Sequence, residues 1–174
     1  MIRNALRPGE KERVPDCCSV KVKSGNAPKV MTCPVNGARS KQVDMLTVKS
    51  LVRNLPLGMP NTQYYFCDSL NCEVVYFPLD AKAPQFRCED LTVRVGAKEK
   101  TDPIPLCYCF GFARQDIWDE IRSTGKSTVV ARISAEIEAG RCACELKNPS
   151  GKCCLGDVTR VVRERLSVVR GKNA

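Results

Sequence analysis

Along the chain, apolar positions keep one rhythm up to about residue 97 and another after about residue 105. In the first stretch they fall in short runs or at alternate positions. Tyr64, Tyr65, Phe66 and Cys67 form one β-prone run and Val74, Val75, Tyr76 and Phe77 another. Asp68, Ser69 and Asn71 between them supply turn residues, so the pattern predicts a hairpin. Leu91, Val93 and Val95 alternate with Thr92 and Arg94, which predicts a third strand over residues 91–96. Residues 43–57 are apolar every second or third position and run into Pro56 and Pro60, a pattern shared by a strand and a short helix. In the later stretch the spacing becomes helical. Ile117 and Ile121 stand four apart, and Gly125 follows as a stop. Ser127 is placed to cap a second helix through Val130, Ile133 and Ile137 to Gly140. Val158, Val161, Val162, Leu166 and Val169 stripe a third helix over about residues 157–169.

This rhythm predicts an α+β fold. Residues 1–16 are charged and form a flexible arm, residues 17–97 a small β-rich part, residues 98–105 a charged linker with two prolines, and residues 106–170 a compact helical part. No internal repeat and no low-complexity tract interrupts the order.

Composition sharpens the picture. Of the 174 residues, 43% are hydrophobic, but 12 of those are cysteine, and only 6% of the chain is aromatic. There is no histidine. That excludes Ser-His-Asp and Cys-His nucleophile systems, H-E-x-x-H zinc proteases and Rieske clusters, each of which needs an imidazole. No G-x-G-x-x-G or Walker loop is present, so nothing points to an enzyme with its own small-molecule substrate. Any metal must be held mainly by thiolates.

The first residues, MIRNALRPGEKERVP, contain no apolar run leading to a small-residue cleavage site, and no stretch is long enough to span a bilayer. A cytoplasmic protein with reduced, metal-binding thiols is therefore expected, in preference to a disulfide scaffold. The cysteines come in groups: Cys17-Cys18, Cys33, Cys67-x4-Cys72, Cys107-x-Cys109, Cys142-x-Cys144 and Cys153-Cys154, with Cys88 alone. The 107/109 and 153/154 groups each precede a predicted helix, where free N–H groups favour thiolates. Arg141, Lys147 and Lys152 are placed to offset the negative charge of a thiolate-bound centre. Spacing alone fits an iron–sulfur group, a four-thiolate zinc or a set of packed reduced cysteines. The ordinary ferredoxin spacings are absent. Cys88 is expected to be a buried core thiol.

Three motifs, in order, resemble the N-terminal domain of the CopZ-type copper chaperone family. They are Tyr65-Phe66-Cys67-x4-Cys72-Glu73-Val74-Val75-Tyr76-Phe77, then Pro105-Leu106-Cys107-Tyr108-Cys109-Phe110-Gly111, then Asn148-Pro149-Ser150-Gly151-Lys152-Cys153-Cys154. The resemblance runs from about residue 33 to residue 162. It implies a zinc in the β-rich part and one [2Fe–2S] cluster in a helical part similar to bacterioferritin-associated ferredoxin. The cluster ligands it implies are Cys107, Cys109, Cys144 and Cys154, with Cys142 an alternative to Cys144 and Cys153 to Cys154. The zinc ligands it implies are Cys33, Cys67 and Cys72. The family pattern suggests another cysteine shortly after Cys33-Pro34, where this chain has Asn36-Gly37. The fourth zinc ligand is then expected from Cys18, with Cys17, a carboxylate or water as alternatives. The family's full-length members also have a domain with an M-x-C-x-x-C copper motif. No C-x-x-C occurs in these residues, so copper delivery is not expected to be self-contained in them. Spare thiols such as Cys17-Cys18 suit Cu(I).

The formal charge is +9. Two four-thiolate centres would each hold a net charge of about −2 and bring it to about +5. The basic residues are dispersed, with few aromatics among them, unlike a nucleic-acid platform. An acidic protein partner, for redox or metal transport, is expected instead. The function expected is metal binding in copper or heavy-metal homeostasis, with one-electron transfer and Cu(II) reduction for metallochaperone delivery. The alternative is a structural zinc module that docks a protein.

Overall fold

The computed structural model describes residues 27–171; the arm, Cys17 and Cys18 lie outside the described residues. Five antiparallel strands form the first sheet in sequence order: β1 (Val30–Thr32), β2 (Arg39–Val43), β3 (Tyr64–Phe66), β4 (Val74–Pro78) and β5 (Phe86–Arg87). The predicted hairpin is β3 and β4. All five residues of β4 are buried, which its unbroken apolar run required. β2 escapes a pattern reading because Val43 is its one apolar residue, yet Ser40 and Val43, on opposite faces, are both buried. Its place is set by pairing with β1 and β3.

The ambiguous segment resolves as a helix, α1 (Met45–Leu51). Asp44 opens it, its Oδ1 accepting the Leu46 N–H at 2.7 Å. Thr47, Val48 and Leu51 turn inward. With Val43, Tyr64, Val75, Tyr76, Phe86, Leu91 and Val95 they make the first core.

The strand expected over residues 91–96 is not formed. Leu91 makes a single bridge to Val52, and the Thr92 N–H bonds the Leu51 carbonyl at 2.8 Å. The alternation was a true burial signal, since Leu91 and Val95 are in the core. But the segment lies against the end of α1, with no strand to pair with, and turns into a 3-10 helix at Gly96–Lys98.

The second part begins with a small hairpin, β6 (Pro105–Cys107) and β7 (Phe112–Ala113). α2 (Arg114–Thr124), α3 (Val129–Glu138), the short α4 (Cys144–Lys147) and α5 (Leu155–Gly171) follow. The three predicted helices are α2, α3 and α5. Ile117, Ile121, Val129, Ile133, Val158 and Val161 form their core, as the stripes foretold. The cap residue of α3 is Thr128, not Ser127, and it makes no side-chain cap bond; Ser127, one position earlier, accepts the Val129 N–H at 3.3 Å. At the start of α2 the Arg114 guanidinium grips Asp102 through two bonds of 2.9 and 2.7 Å and lies over the Trp118 ring. Arg114 holds the Asp102 carboxyl below its usual range.

The two parts are joined by more than the intervening segment. α1 packs on α4. The Thr47 hydroxyl donates to the Glu145 carbonyl at 2.7 Å, and the buried Tyr76 hydroxyl to the Pro149 carbonyl at 2.8 Å. Gly151 (φ 67°) lies so close that a Cβ there would sit 2.8 Å from Thr47 Oγ1. Lys98 donates to the carbonyls of Ser69 and Val74, both at 2.9 Å, bracing the turn between β3 and β4.

Candidate metal centres

The first centre lies at one end of the sheet. Cys33 follows β1, Cys67 follows β3 and Cys72 precedes β4, and all three are buried. Their sulfurs lie within 4.8 Å of one another, with Cys33 and Cys72 at 3.9 Å. A metal–sulfur bond of about 2.3 Å gives a tetrahedral edge of about 3.8 Å, so these three thiols fit three corners of a zinc site. Tyr65, Val74 and Phe77 wall it off. Residues 33–37 form a tight turn: the Gly37 N–H bonds the Cys33 carbonyl at 2.9 Å, and Gly37 takes φ 73°. Burial works against the Cys33 thiolate, but the N–H groups of Val35 and Asn36 outweigh it and lower its pKa. Burial raises the pKa of Cys72.

Among the described residues no fourth cysteine joins this group. Asn36 stands on the open side, its Oδ1 3.9 Å from Cys67 Sγ and accepting the Ala38 N–H at 3.1 Å. The tight turn survives here with a carboxamide on it.

The second centre lies between β6, α4 and the start of α5. Cys107, Cys144 and Cys154 are buried, Cys109 and Cys142 partly so. Cys109 Sγ is 3.7 Å from Cys144 Sγ and 3.9 Å from Cys142 Sγ, and the last two are 3.3 Å apart. Cys109, Cys142 and Cys144 have their sulfurs within 4.8 Å of one another, and Cys107 and Cys154 lie in the same core outside that trio. The Cys154 thiol lowers the pKa of Cys107 to about 6 against burial, and Cys107 pushes that of Cys154 up. Burial raises the pKa of Cys109 and Cys144. Backbone N–H groups point at the sulfurs. Ala143 donates to Cys109 at 3.4 Å, Phe110 and Cys109 to Cys107, and Cys154 to Cys144.

Several expectations need correction. Cys154 does open a helix, α5, but Cys107 and Cys109 do not sit at a helix start. The β6–β7 hairpin separates them from α2, and its turn supplies their N–H donors. Arg141 does not serve the thiols, because its guanidinium pairs with Glu136 at 2.5 Å. Cys88 is exposed, not a core thiol, since the 3-10 turn Cys88–Asp90 carries it outside the sheet. Cys153 is exposed too, unlike its neighbour Cys154. Cys142, given above as an alternative to Cys144, lies inside the group together with it; its C-x-C spacing from Cys144 was the signal. Asn148 is buried and shapes the loop between Cys144 and Cys154, donating to the Lys152 carbonyl at 2.7 Å and accepting from Ser150.

Known proteins resemble this chain in sequence and fold. Residues 30–92 match the CopZ zinc-binding domain family. The crystal structure of the Archaeoglobus fulgidus CopZ N-terminal domain superposes with a TM-score of 0.60 at 32% identity, covering 75% of this chain and 97% of that one. The chain belongs to the CopZ family. Its CopZ-type zinc-binding domain contains all three thiols of the first centre. The copper chaperone CopZ of Archaeoglobus fulgidus is 34% identical over 125 residues, 72% of this chain. The chain spans 58% of that relative's length. The match places two metal-capable cysteine groups within a CopZ-like architecture. No helix among the described residues is long and apolar enough to cross a membrane.

Proposed function

We propose that this chain handles metal as part of a copper chaperone system, with zinc at Cys33, Cys67 and Cys72 and a [2Fe–2S] group at Cys107, Cys109, Cys144 and Cys154. The observation that supports the second assignment is the gathering of these four thiols, from three separate segments, into one apolar pocket. Cys109 and Cys144 stand 3.7 Å apart and Cys107 and Cys154 are buried in the same core, so two thiolates are available for each iron. When bound, it supplies one electron, the amount that takes one Cu(II) to Cu(I). The residues do the rest. Ile117, Ile133 and Val158 exclude water, and the N–H groups of Cys109, Phe110, Ala143 and Cys154 stabilise charge on sulfur. The role is binding and electron transfer, with no small-molecule turnover of its own.

The partner is a protein with an acidic face. A cleft of about 910 Å³ runs between the sheet and the helices, lined by six basic side chains, Arg39, Lys41 and Lys152 among them, by the four acidic ones of Asp68, Glu99, Asp157 and Glu164, and by the exposed Cys153. Cys153 adjoins Cys154, so a partner seated there comes next to the second centre.

Anaerobic purification with metal and sulfide analysis, and EPR of the dithionite-reduced protein, tests the reading. The expected result is about two irons, two sulfides and one zinc per chain with an S = ½ signal. A colourless protein that holds only zinc and resists reconstitution would favour a structural zinc module that docks a protein.

A further inference from the structure

The second pocket contains five thiols, and the [2Fe–2S] reading uses four. Cys142 is the fifth, and it is not placed as a bystander. Its sulfur is 3.9 Å from Cys109 Sγ, and Cys144 offers 3.7 Å to the same atom. Both values lie beside the edge of about 3.8 Å that a tetrahedral thiolate site needs. The distance between Cys142 and Cys144 is different. At 3.3 Å it is well short of that edge, so the two sulfurs stand at one corner and not at two.

We propose that Cys142 and Cys144 are interchangeable ligands for a single coordination position beside Cys109. The proposal rests on the [2Fe–2S] reading and deepens it. The geometry of the segment supports exchange. Ala143, between the two cysteines, donates its N–H to Cys109 Sγ and pins the midpoint of the C-x-C loop against the site. Either flanking thiol then reaches the same corner by a small adjustment around that anchor. Cys144 is buried at the start of α4, whereas Cys142 lies partly exposed in the extended run after α3. Exchange would swap an enclosed ligand for one nearer water, and exposure is one determinant of the reduction potential of such a group.

Four proteins decide it: wild type, C142A, C144A and the double variant, each reconstituted anaerobically and analysed for iron, sulfide and reduced EPR signal, with circular dichroism as a folding control. Both single variants should keep iron within about twofold of wild type, C144A with shifted g values, while the double variant loses about tenfold. A folded C144A as empty as the double variant overturns the proposal, as does a double variant that stays loaded. A second measurement needs no substitution. Wild type loaded with iron and sulfide, or with Cd(II) where it takes no iron, is alkylated and the label located by mass spectrometry. Besides labels on thiols outside the centre, such as the exposed Cys88 and Cys153, one label divided between Cys142 and Cys144 is expected; a label on Cys142 with none on Cys144 means Cys144 is a fixed ligand and sinks the exchange. An iron-free wild type whose cadmium form divides the label would fail the [2Fe–2S] reading and keep the exchange.

Discussion

At the residue scale the decisive atom of the first centre is Asn36 Oδ1. It stands 3.9 Å from Cys67 Sγ, on a turn whose Gly37 still takes the left-handed conformation. The turn places a side chain toward the three thiols, and in this chain that side chain is a weak oxygen donor. Replacing it by a thiol should complete the tetrahedron. For N36C, zinc loss to a competing chelator should slow on the order of tenfold or more, because a closed four-thiolate shell replaces a three-thiolate one. Stopped-flow chelation checks this. An unchanged rate would mean that another residue, such as Cys18, already fills the corner.

At the element scale the structure depends on a loop that joins α4 to α5. Its Pro149 carbonyl receives the Tyr76 hydroxyl, and its Gly151 fits against Thr47 of α1. G151A should cost about 1–3 kcal/mol, since it adds a Cβ into Thr47 and asks alanine to hold φ 67°. Denaturant titration reads the loss as a lower midpoint. The role of this loop was not legible beforehand: Asn148-Pro149-Ser150-Gly151 could be recognised as a motif, but its partners, Tyr76 and Thr47, lie 73 residues or more earlier in the chain. What was legible had local causes. α2, α3 and α5 followed from apolar stripes, and β3–β4 from two aromatic runs around a turn. β2, with one apolar residue, and the β6–β7 hairpin around Cys107 were not readable, because pairing rather than local pattern fixes them. The thiols assigned to each centre could be grouped by resemblance. The arrangement of the second group, a close trio with Cys107 and Cys154 in the same core, needed coordinates.

At the scale of the whole molecule, charge governs encounter. The chain's +9 is spread over its length, and one cleft carries a small basic excess, six basic side chains, Arg39, Lys41 and Lys152 among them, against four acidic ones. Association with an acidic partner should therefore slow as ionic strength rises. The double variant K41E/K152E should lose most of that salt dependence, while its metal content stays the same, since neither lysine touches a thiol. Association rates at two salt concentrations test it. Salt-independent rates in the wild type would remove electrostatic steering from the account.

The bond from Tyr76 to Pro149 and the one from Thr47 to Glu145 have a consequence for how the protein is assembled. Each anchors the loop between Cys144 and Cys154 on the part that holds Cys33, Cys67 and Cys72. A ligand that favours the folded form of one part raises the stability of whatever is folded with it. Filling either centre thus favours the fold that holds the other, and by the same linkage each should bind its metal more tightly when the other is full.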